Sequence, residues 1–152
     1  MKKCILSTLL LCLSGTLFAQ TSSTSYNNFH KSVIYSISSY PDNIIANTNV
    51  SFLKFQLNKD KTLDHVEFSD NTNLEFRNEF VKRFKELNST ALYSYLAEMN
   101  VNDRAILIPL RVNAPSKTNT QISSKEFQML YLFNGKPLSS RVFLCPAIQI
   151  TF

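Results

Sequence analysis

Glycine and tryptophan are nearly missing from this chain of 152 residues, which has two glycines, Gly15 and Gly135, and no tryptophan. Two glycines leave no glycine-rich phosphate loop and no dinucleotide-binding fingerprint. Without tryptophan the chain lacks the largest aromatic surface on which a sugar ring could stack. Tyr93, Tyr95 and the phenylalanines are expected in the core, and only a row of exposed aromatics would favour carbohydrate binding.

Histidine and cysteine are also scarce. The histidines are His30 and His65, and the three cysteines are never closer than seven intervening residues. This spacing gives no zinc pattern, no CxxC pair and no helical histidine pair. We therefore expect neither a metal site nor a cofactor.

The first nineteen residues have the pattern of a secretory signal peptide. Lys2 and Lys3 precede an apolar run over 4–13, and small residues lead to Ala19. The run is shorter than the ~20 residues that a membrane-spanning helix needs. We expect cleavage near Ala19, a periplasmic or secreted protein and no stable membrane anchor. Lipidation at Cys12 is a weaker alternative, because three leucines precede this cysteine instead of a small residue.

Cleavage would change the charge and the cysteine count. Loss of Lys2 and Lys3 lowers the formal net charge from +5 to +3, an excess too small to favour nucleic acid as a partner. Cys145 would be the one remaining cysteine, so the mature chain could form no intramolecular disulfide. Its stability must then come from packing.

The rest of the chain is predicted to be one domain. Residues 20–28 are rich in serine and threonine and are expected to form a flexible leader. From residue 29, apolar side chains recur at helical spacing up to Tyr40 and Pro41. We predict a short helix there and a single domain over 29–152.

A hairpin and a long helix are predicted next. Apolar residues alternate over 50–57 and 63–68 around a four-residue turn. Thr72 and Glu75 have capping-box spacing, and an apolar stripe follows at helical intervals. The stripe consists of Phe76, Phe80, Phe84 and Leu87. This pattern predicts the main helix of the fold, lying on one face of a sheet.

The second half of the chain predicts a further helix and further strands. A helix is predicted over Thr90–Glu98. One side of a strand is predicted to hold Ile106, Ile108, Leu110 and Val112. Pro109 in this strand favours an edge or a bulge, because proline removes a ladder donor. Asn134-Gly135 predicts a hairpin turn between strands over Phe127–Phe133 and Arg141–Phe152.

Residues 29–88 resemble the TonB C-terminal domain. The resemblance rests on Tyr40-Pro41, the strand and turn over 50–61, the returning strand over 62–69, and Asn73-Leu74-Glu75 before the phenylalanine-bearing helix. It implies an α+β fold in which an antiparallel sheet carries a long amphipathic helix on one face. Two segments, 104–112 with Pro109 and 141–152 with Pro146, compete for the family's last strand.

The resemblance also implies a function. A whole TonB transducer needs a membrane anchor and a Pro-rich spacer, and we expect neither in this chain. The resemblance therefore implies a free-standing exported domain. Such a domain would bind an extended peptide at a sheet edge. If 141–152 is the last strand, that edge is Arg141, Val142, Phe143 and Leu144. The partner would be an envelope protein, for example an outer-membrane transporter. A homodimer through the same edges, or an edge that is simply covered, are the alternatives.

Catalysis has weak support in the sequence. The best candidate is Cys145 as nucleophile, with His30 or His65 as base and Asp64 or Asp70 as orienting acid. Asp64 and His65 are consecutive on a strand and should point to opposite faces. The cysteine precedes Pro146 in a strand, where a packing role is commoner. We expect no enzyme, and the alternative is a small exported hydrolase or a protein that binds a small ligand or carbohydrate.

Four acidic residues near the predicted hairpin are Asp60, Asp64, Glu67 and Asp70. Their spacing does not match a calcium loop. We interpret them as turn and surface residues.

Overall fold

The structure, a computed structural model, describes residues 23–46, 50–58, 60, 62–101, 105–113, 123–138 and 141–152. The expected signal peptide lies outside these residues. The described part is a mixed α+β fold with five α-helices, one 3-10 helix and seven strands. In chain order they are α1 (Thr24–Ser38), α2 (Asp42–Ala46), β1 (Val50–Leu57), β2 (Leu63–Phe68), α3 (Leu74–Lys82), the 3-10 helix (Phe84–Glu86), α4 (Ser89–Glu98), β3 (Ala105–Asn113), α5 (Ser124–Met129), β4 (Leu132–Phe133), β5 (Lys136–Pro137), β6 (Val142–Leu144) and β7 (Ile148–Thr151).

Five strands form the main sheet, in the order β2, β1, β3, with β6 and β7 following one another along the outer side of β3. β1 is antiparallel to β2 and β3, whereas β6 and β7 both run parallel to β3. The expectation of an antiparallel sheet is therefore wrong for these last two strands. Apolar periodicity indicates that a segment is a strand but does not give its direction, which depends on the connection. Of the two candidate last strands, the first contains β3, an interior strand with partners on both sides, and the second contains β6 and β7 at an edge.

Pro109 lies in the interior strand β3, although proline favours an edge. Phe52, its partner on β1, directs both its backbone groups toward β2, where its N–H donates to Ser69 Oγ at 2.8 Å and its carbonyl accepts from Ser69 N at 2.9 Å. Pro109 therefore turns its nitrogen away from β1, toward β6 and β7. Pairing on that side ends at Leu107 and resumes at Leu110. The expected irregularity is present as a gap between two edge strands.

The hydrophobic core lies on one face of the sheet, which we call the helix face. The four alternating residues predicted to share one side of β3 are all buried there, which confirms that prediction. They pack together with side chains from β1 and from α1, α3 and α4. These include Leu53, Phe55, Phe29, Val33, Ile37, Phe76, Phe80, Leu92 and Leu96.

The first helix starts earlier and is longer than predicted. It has fifteen residues and begins at Thr24, inside the segment expected to be a flexible leader. The Oγ of Ser23 caps it by accepting the N–H of Tyr26 at 3.4 Å. Tyr26 is buried and its ring centre lies 4.8 Å from that of Tyr95. Residues 24–28 thus belong to the domain, and the spacing of Tyr26 from Phe29 continues the helical periodicity that predicted the rest of α1.

The predicted main helix is divided in two. α3 has nine residues and ends before Arg83, and a 3-10 helix carries Phe84, whose ring stacks on Phe55 with centres 6.1 Å apart. Phe76 and Phe80 are buried as the stripe predicts. The helix predicted over Thr90–Glu98 is present as α4.

The cap of α3 also differs from the prediction. Asn73 Oδ1 accepts the N–H of Glu75 at 2.8 Å and that of Phe76 at 3.2 Å. The Thr72 hydroxyl is instead buried and hydrogen-bonded to Ser51. The predicted capping box is therefore wrong by one position, because Thr72 satisfies its hydroxyl inside the fold.

A small unit, residues 123–138, lies on the opposite face of the sheet; we call it the hairpin unit and this side of the sheet the hairpin face. Asn134 and Gly135 have φ of 53° and 73°, as the predicted two-residue turn requires. The flanking strands β4 and β5 have only two residues each. Phe127 lies on α5, so the strand predicted over Phe127–Phe133 is largely wrong. The predicted partner strand is wrong as well, because β4 pairs with β5 while Arg141–Phe152 contains β6 and β7, which pair with β3.

Asp70 attaches the hairpin unit to the sheet. Its N–H donates to the carbonyl of Leu132 at 2.8 Å, and its carboxylate accepts the N–H groups of Asn134 at 2.9 Å and Gly135 at 2.8 Å. On the hairpin face the ring of Tyr131 lies 5.6 Å from that of Phe52. Asp70, expected to be a turn or surface residue, is therefore a structural link between distant parts of the chain.

Candidate functional site

The predicted edge residues lie at an edge of the sheet. Val142, Phe143 and Leu144 form β6 and pair in parallel with residues 105–107 of β3. No strand among the described residues pairs with the other side of β6. Arg141 is exposed and immediately precedes the strand.

Two residues of β6 direct their backbone groups outward. The N–H of Cys145 donates to the carbonyl of Leu107 at 2.9 Å, so Cys145 faces β3. Because the direction of backbone groups alternates along a strand, Phe143 faces β3 as well, while the N–H and C=O groups of Val142 and Leu144 face away from the sheet. These four groups are a template on which another strand could pair.

The side chains of β6 divide between the two faces. Phe143 points to the helix face and lies 6.2 Å from the ring of Tyr95. Val142 and Leu144 point to the hairpin face, where Leu144 is 60% exposed. An exposed leucine beside unpaired backbone groups gives this edge an apolar contact surface.

The edge is interrupted between β6 and β7. The register with β3 gains one residue across this interval, which is the signature of a bulge. The hydroxyl of Tyr26 donates to the carbonyl of Pro146 in the interruption. Helix α1 therefore holds the bulge in place from the helix face.

The opposite edge of the sheet, β2, has a different character. Its register with β1 contains an irregularity in which Asp64 and His65 both lie opposite Gln56. His65 Nδ1 lies 3.1 Å from Asp64 Oδ2 and its Nε2 lies 3.3 Å from Glu67 Oε1. The expectation that Asp64 and His65 point to opposite faces is wrong, because a bulge breaks strand alternation. Charged side chains and bulges are common protections of an edge.

Cys145 is enclosed by the fold. It is 3% exposed, and this burial raises the pKa of its thiol from 9.0 to about 12. The thiolate that would act as a nucleophile is therefore disfavoured at neutral pH.

The candidate bases lie away from Cys145 or lack contact with it. His65 is on β2 and Cys145 follows β6, and three strand spacings separate these strands, roughly 14 Å. His30 is half-buried in α1, and burial lowers its pKa. Its Nε2 has no hydrogen-bond partner among the described residues. Among the described residues, neither histidine is therefore seen to hydrogen-bond to Cys145.

A groove of about 370 Å³ lies between β1, β2 and the hairpin unit. Lys54 and Glu67 line it from the sheet, where their side chains form an ion pair at 3.2 Å. The hairpin unit contributes Phe133, Asn134, Lys136, Pro137 and Leu138. Sequence patterns could not find this groove, because it exists only where residues far apart in the chain meet.

The other acidic candidates have structural roles. Asp60 Oδ1 accepts the N–H and the hydroxyl of Thr62 at 3.0 and 2.6 Å, and these hydrogen bonds lower the pKa of Asp60. It therefore shapes the turn between β1 and β2. Among the described residues there is no group of three or more His, Cys, Asp or Glu side chains that could hold a metal ion.

The exposed rings of Phe127 and Tyr131, within the part of the chain that the structure describes, do not form a flat platform with each other. Phe127 and Tyr131 are about half exposed, but their rings meet at 72°, and Tyr131 meets Phe52 at 71°. Tyr95 is buried, as expected. Such edge-to-face contacts use the rings to pack against one another and offer a sugar no continuous stacking surface.

Comparison with known proteins adds no relative: no family model, no curated protein and no solved structure matches the chain. Within the residues that the structure describes, no helix has the length and apolar character needed to cross a membrane. The site must therefore be interpreted from its own geometry.

Proposed function

We propose that this protein is a non-enzymatic interaction module that binds an extended peptide by adding it as a strand to β6, at Arg141–Leu144. The observation that carries the proposal is the outward direction of the backbone groups of Val142 and Leu144 beside the exposed Leu144 side chain. Strand addition gives affinity through such backbone groups and selectivity through alternating side chains.

The contrast between the two edges supports this choice. β2 carries a bulge and a polar cluster in which the carboxylates of Asp64 and Glu67 lie beside His65. β6 carries two aliphatic side chains on the hairpin face, and Arg141 is its neighbouring charge. A peptide with apolar residues at alternate positions and an acidic residue near Arg141 would complement this edge.

The binding energy available at β6 is small. Four backbone hydrogen bonds contribute about 2–6 kcal/mol in total, at roughly 0.5–1.5 kcal/mol each. Association itself costs several kcal/mol, so contacts with Leu144 and Val142 must add to this energy. We therefore expect micromolar or weaker affinity and a transient complex.

The resemblance of residues 29–88 to the TonB C-terminal domain belongs to the same proposal. The order of α1, the β1–β2 hairpin and α3 supports it. On this interpretation the chain is exported after cleavage near Ala19 and meets an envelope protein, such as an outer-membrane transporter. A second copy of the chain would use the same edge to form a homodimer.

The experiment selects peptides from a displayed random library for binding to residues 20–152. The binding of the selected peptides is then measured for edge variants. Val142→Pro removes one outward donor and no donor to β3, whereas Val142→Thr keeps the donor and nearly the same shape. We expect selected peptides to bind the wild type and Val142→Thr, and to lose at least tenfold in affinity for Val142→Pro. On binding, the amides of Val142 and Leu144 should become protected from hydrogen exchange.

A side-chain pair provides the second control. Leu144→Lys should weaken binding, while Val81→Lys changes a similarly exposed aliphatic residue on α3 and should not. Sedimentation of each variant reports self-association through the edge. Peptides that bind all the variants equally, or protection confined to other strands, would show that the binding surface lies elsewhere.

A further inference from the structure

We propose that the groove beside the hairpin unit binds a small organic carboxylate with a short apolar chain, held between Lys54 and Lys136. This site is independent of strand addition, because it lies on the β2 side of the sheet and β6 lies at the other edge.

The groove has the size and walls that such a ligand needs. Its volume of about 370 Å³ falls at the lower end of the range of small-molecule sites, roughly 300–1,000 Å³. Phe133, Pro137 and Leu138 are the apolar lining residues of the groove, and Lys54, Glu67 and Lys136 are the charged ones. A ligand with one charged end and one apolar end matches this division.

The charges favour an anion. Two lysines and one glutamate line the groove, which leaves an excess of one positive charge. Lys54 Nζ lies 3.2 and 3.3 Å from the Glu67 oxygens, longer than the ~2.7–2.9 Å of a tight charge-assisted hydrogen bond. Glu67 is also shared with His65, at 3.3 Å. Lys54 can therefore turn a donor toward a second carboxylate.

The position of Lys54 strengthens this preference. The residue lies on β1, between β2 and β3, and its side chain is only 22% exposed. Its ammonium group is 5.7 Å from the centre of the Phe133 ring. A cation partly removed from water attracts an anion more strongly than a fully solvated lysine does.

The test titrates 3-phenylpropionate into the full domain and follows ¹H–¹⁵N chemical shifts. We expect saturable shifts at Lys54 and at residues 133–138. Lys136→Gln and Lys54→Gln should each weaken binding by about tenfold, the effect of losing one charge-assisted hydrogen bond. Lys85→Gln, which changes an exposed lysine of the 3-10 helix, should bind as the wild type does.

The matched neutral ligand, 3-phenylpropionamide, should not saturate these shifts. A tripeptide ending in phenylalanine, compared with its amidated form, distinguishes a peptide terminus from a free acid as the source of the carboxylate. Equal binding of the acid and the amide, shifts spread over many surface lysines, or unchanged affinity in Lys136→Gln would overturn the proposal. Each variant's own spectrum reports whether it is folded.

Discussion

At the scale of single residues, Cys145 shows how burial decides chemistry. The same thiol in an exposed, electropositive position would be reactive, but here the surrounding side chains exclude water and oppose ionisation. Its raised pKa favours the neutral thiol in the folded state. Reactivity and stability should therefore both depend on folding.

This burial predicts a fall in stability at alkaline pH. The folded pKa of Cys145 is raised from 9.0 to about 12, so the stabilisation is fully present below pH 9 and is lost as the pH rises toward 12. Urea unfolding between pH 7 and 10.5 should show the decrease, and Cys145→Ala should show less of it. The pKa of Tyr26 is also raised, first by burial, and this part of its effect at higher pH is common to both proteins, whereas the smaller part due to the charge of Cys145 is lost in Cys145→Ala. Identical pH profiles would mean that Cys145 ionises freely in the native protein.

At the scale of elements, α3 shows that a short helix can carry much of the packing. Phe80 is 1% exposed, and its ring centre lies 5.5 Å from that of Phe68 on β2. Phe76 lies one turn earlier on the same side. The helix therefore connects the core to the β1–β2 hairpin through aromatic contacts.

Truncation of Phe80 should strongly destabilise the fold. Phe80→Ala leaves a cavity against Phe68 and Phe76 and should lower the free energy of unfolding by about 3–5 kcal/mol. Urea unfolding measures the change. Val81→Ala removes an exposed side chain from the same helix and should change it by less than about 0.5 kcal/mol. A loss of under 1 kcal/mol for Phe80→Ala would contradict the position of α3 in the core.

Local sequence patterns predicted the helices and strands that bury one face. They missed the features that depend on contacts between residues far apart in the chain. The alternation in β3 and the phenylalanine stripe of α3 report burial directly, so both were found. Thr72 and Asn73 both have side chains suited to capping, and only the buried position of Thr72 next to Ser51 decides between them. The bulge that brings Asp64 and His65 together likewise depends on pairing with β1.

Of the two candidate sites, one was indicated by the sequence and the other depends on contacts between distant residues. The edge segment at Arg141–Leu144 was indicated by the family resemblance, because an apolar strand near the end of the domain is part of that pattern. The groove was not predicted, since Lys54 and Lys136 line the same groove only because Asp70 attaches the hairpin turn to the sheet. Contacts between residues this far apart leave no local periodicity to recognise.

At the scale of the whole molecule, contacts distant in sequence join the first helix to the interrupted edge. The Tyr26 hydroxyl and the Pro146 carbonyl are 120 residues apart in the chain. Nearby, the Cys145 amide and the Leu107 carbonyl connect the same bulge to β3. The bulge is thus held from both the helices and the sheet.

Loss of the tyrosine hydroxyl should loosen this bulge. Tyr26→Phe keeps the ring contact with Tyr95 but removes the hydrogen bond, and should lower the free energy of unfolding by about 1 kcal/mol. Hydrogen exchange at the Cys145 amide should become faster. Tyr35→Phe, which alters a tyrosine that is 78% exposed, is the control. An unchanged exchange rate at Cys145 would mean that the sheet alone holds the bulge.

Pro109 has a further consequence for how the chain reaches this fold. β6 and β7 are synthesised after β3. During synthesis, therefore, β1 is available to pair with one side of β3 before any strand is available for the other side. The nitrogen of Pro109 lies on this second side of β3, where it offers no N–H donor to a strand from another molecule. We expect a larger insoluble fraction for Pro109→Val than for the wild type during cell-free synthesis. Pro109, which interrupts the hydrogen-bond ladder of the folded sheet, would then also prevent the incomplete sheet from pairing with another molecule.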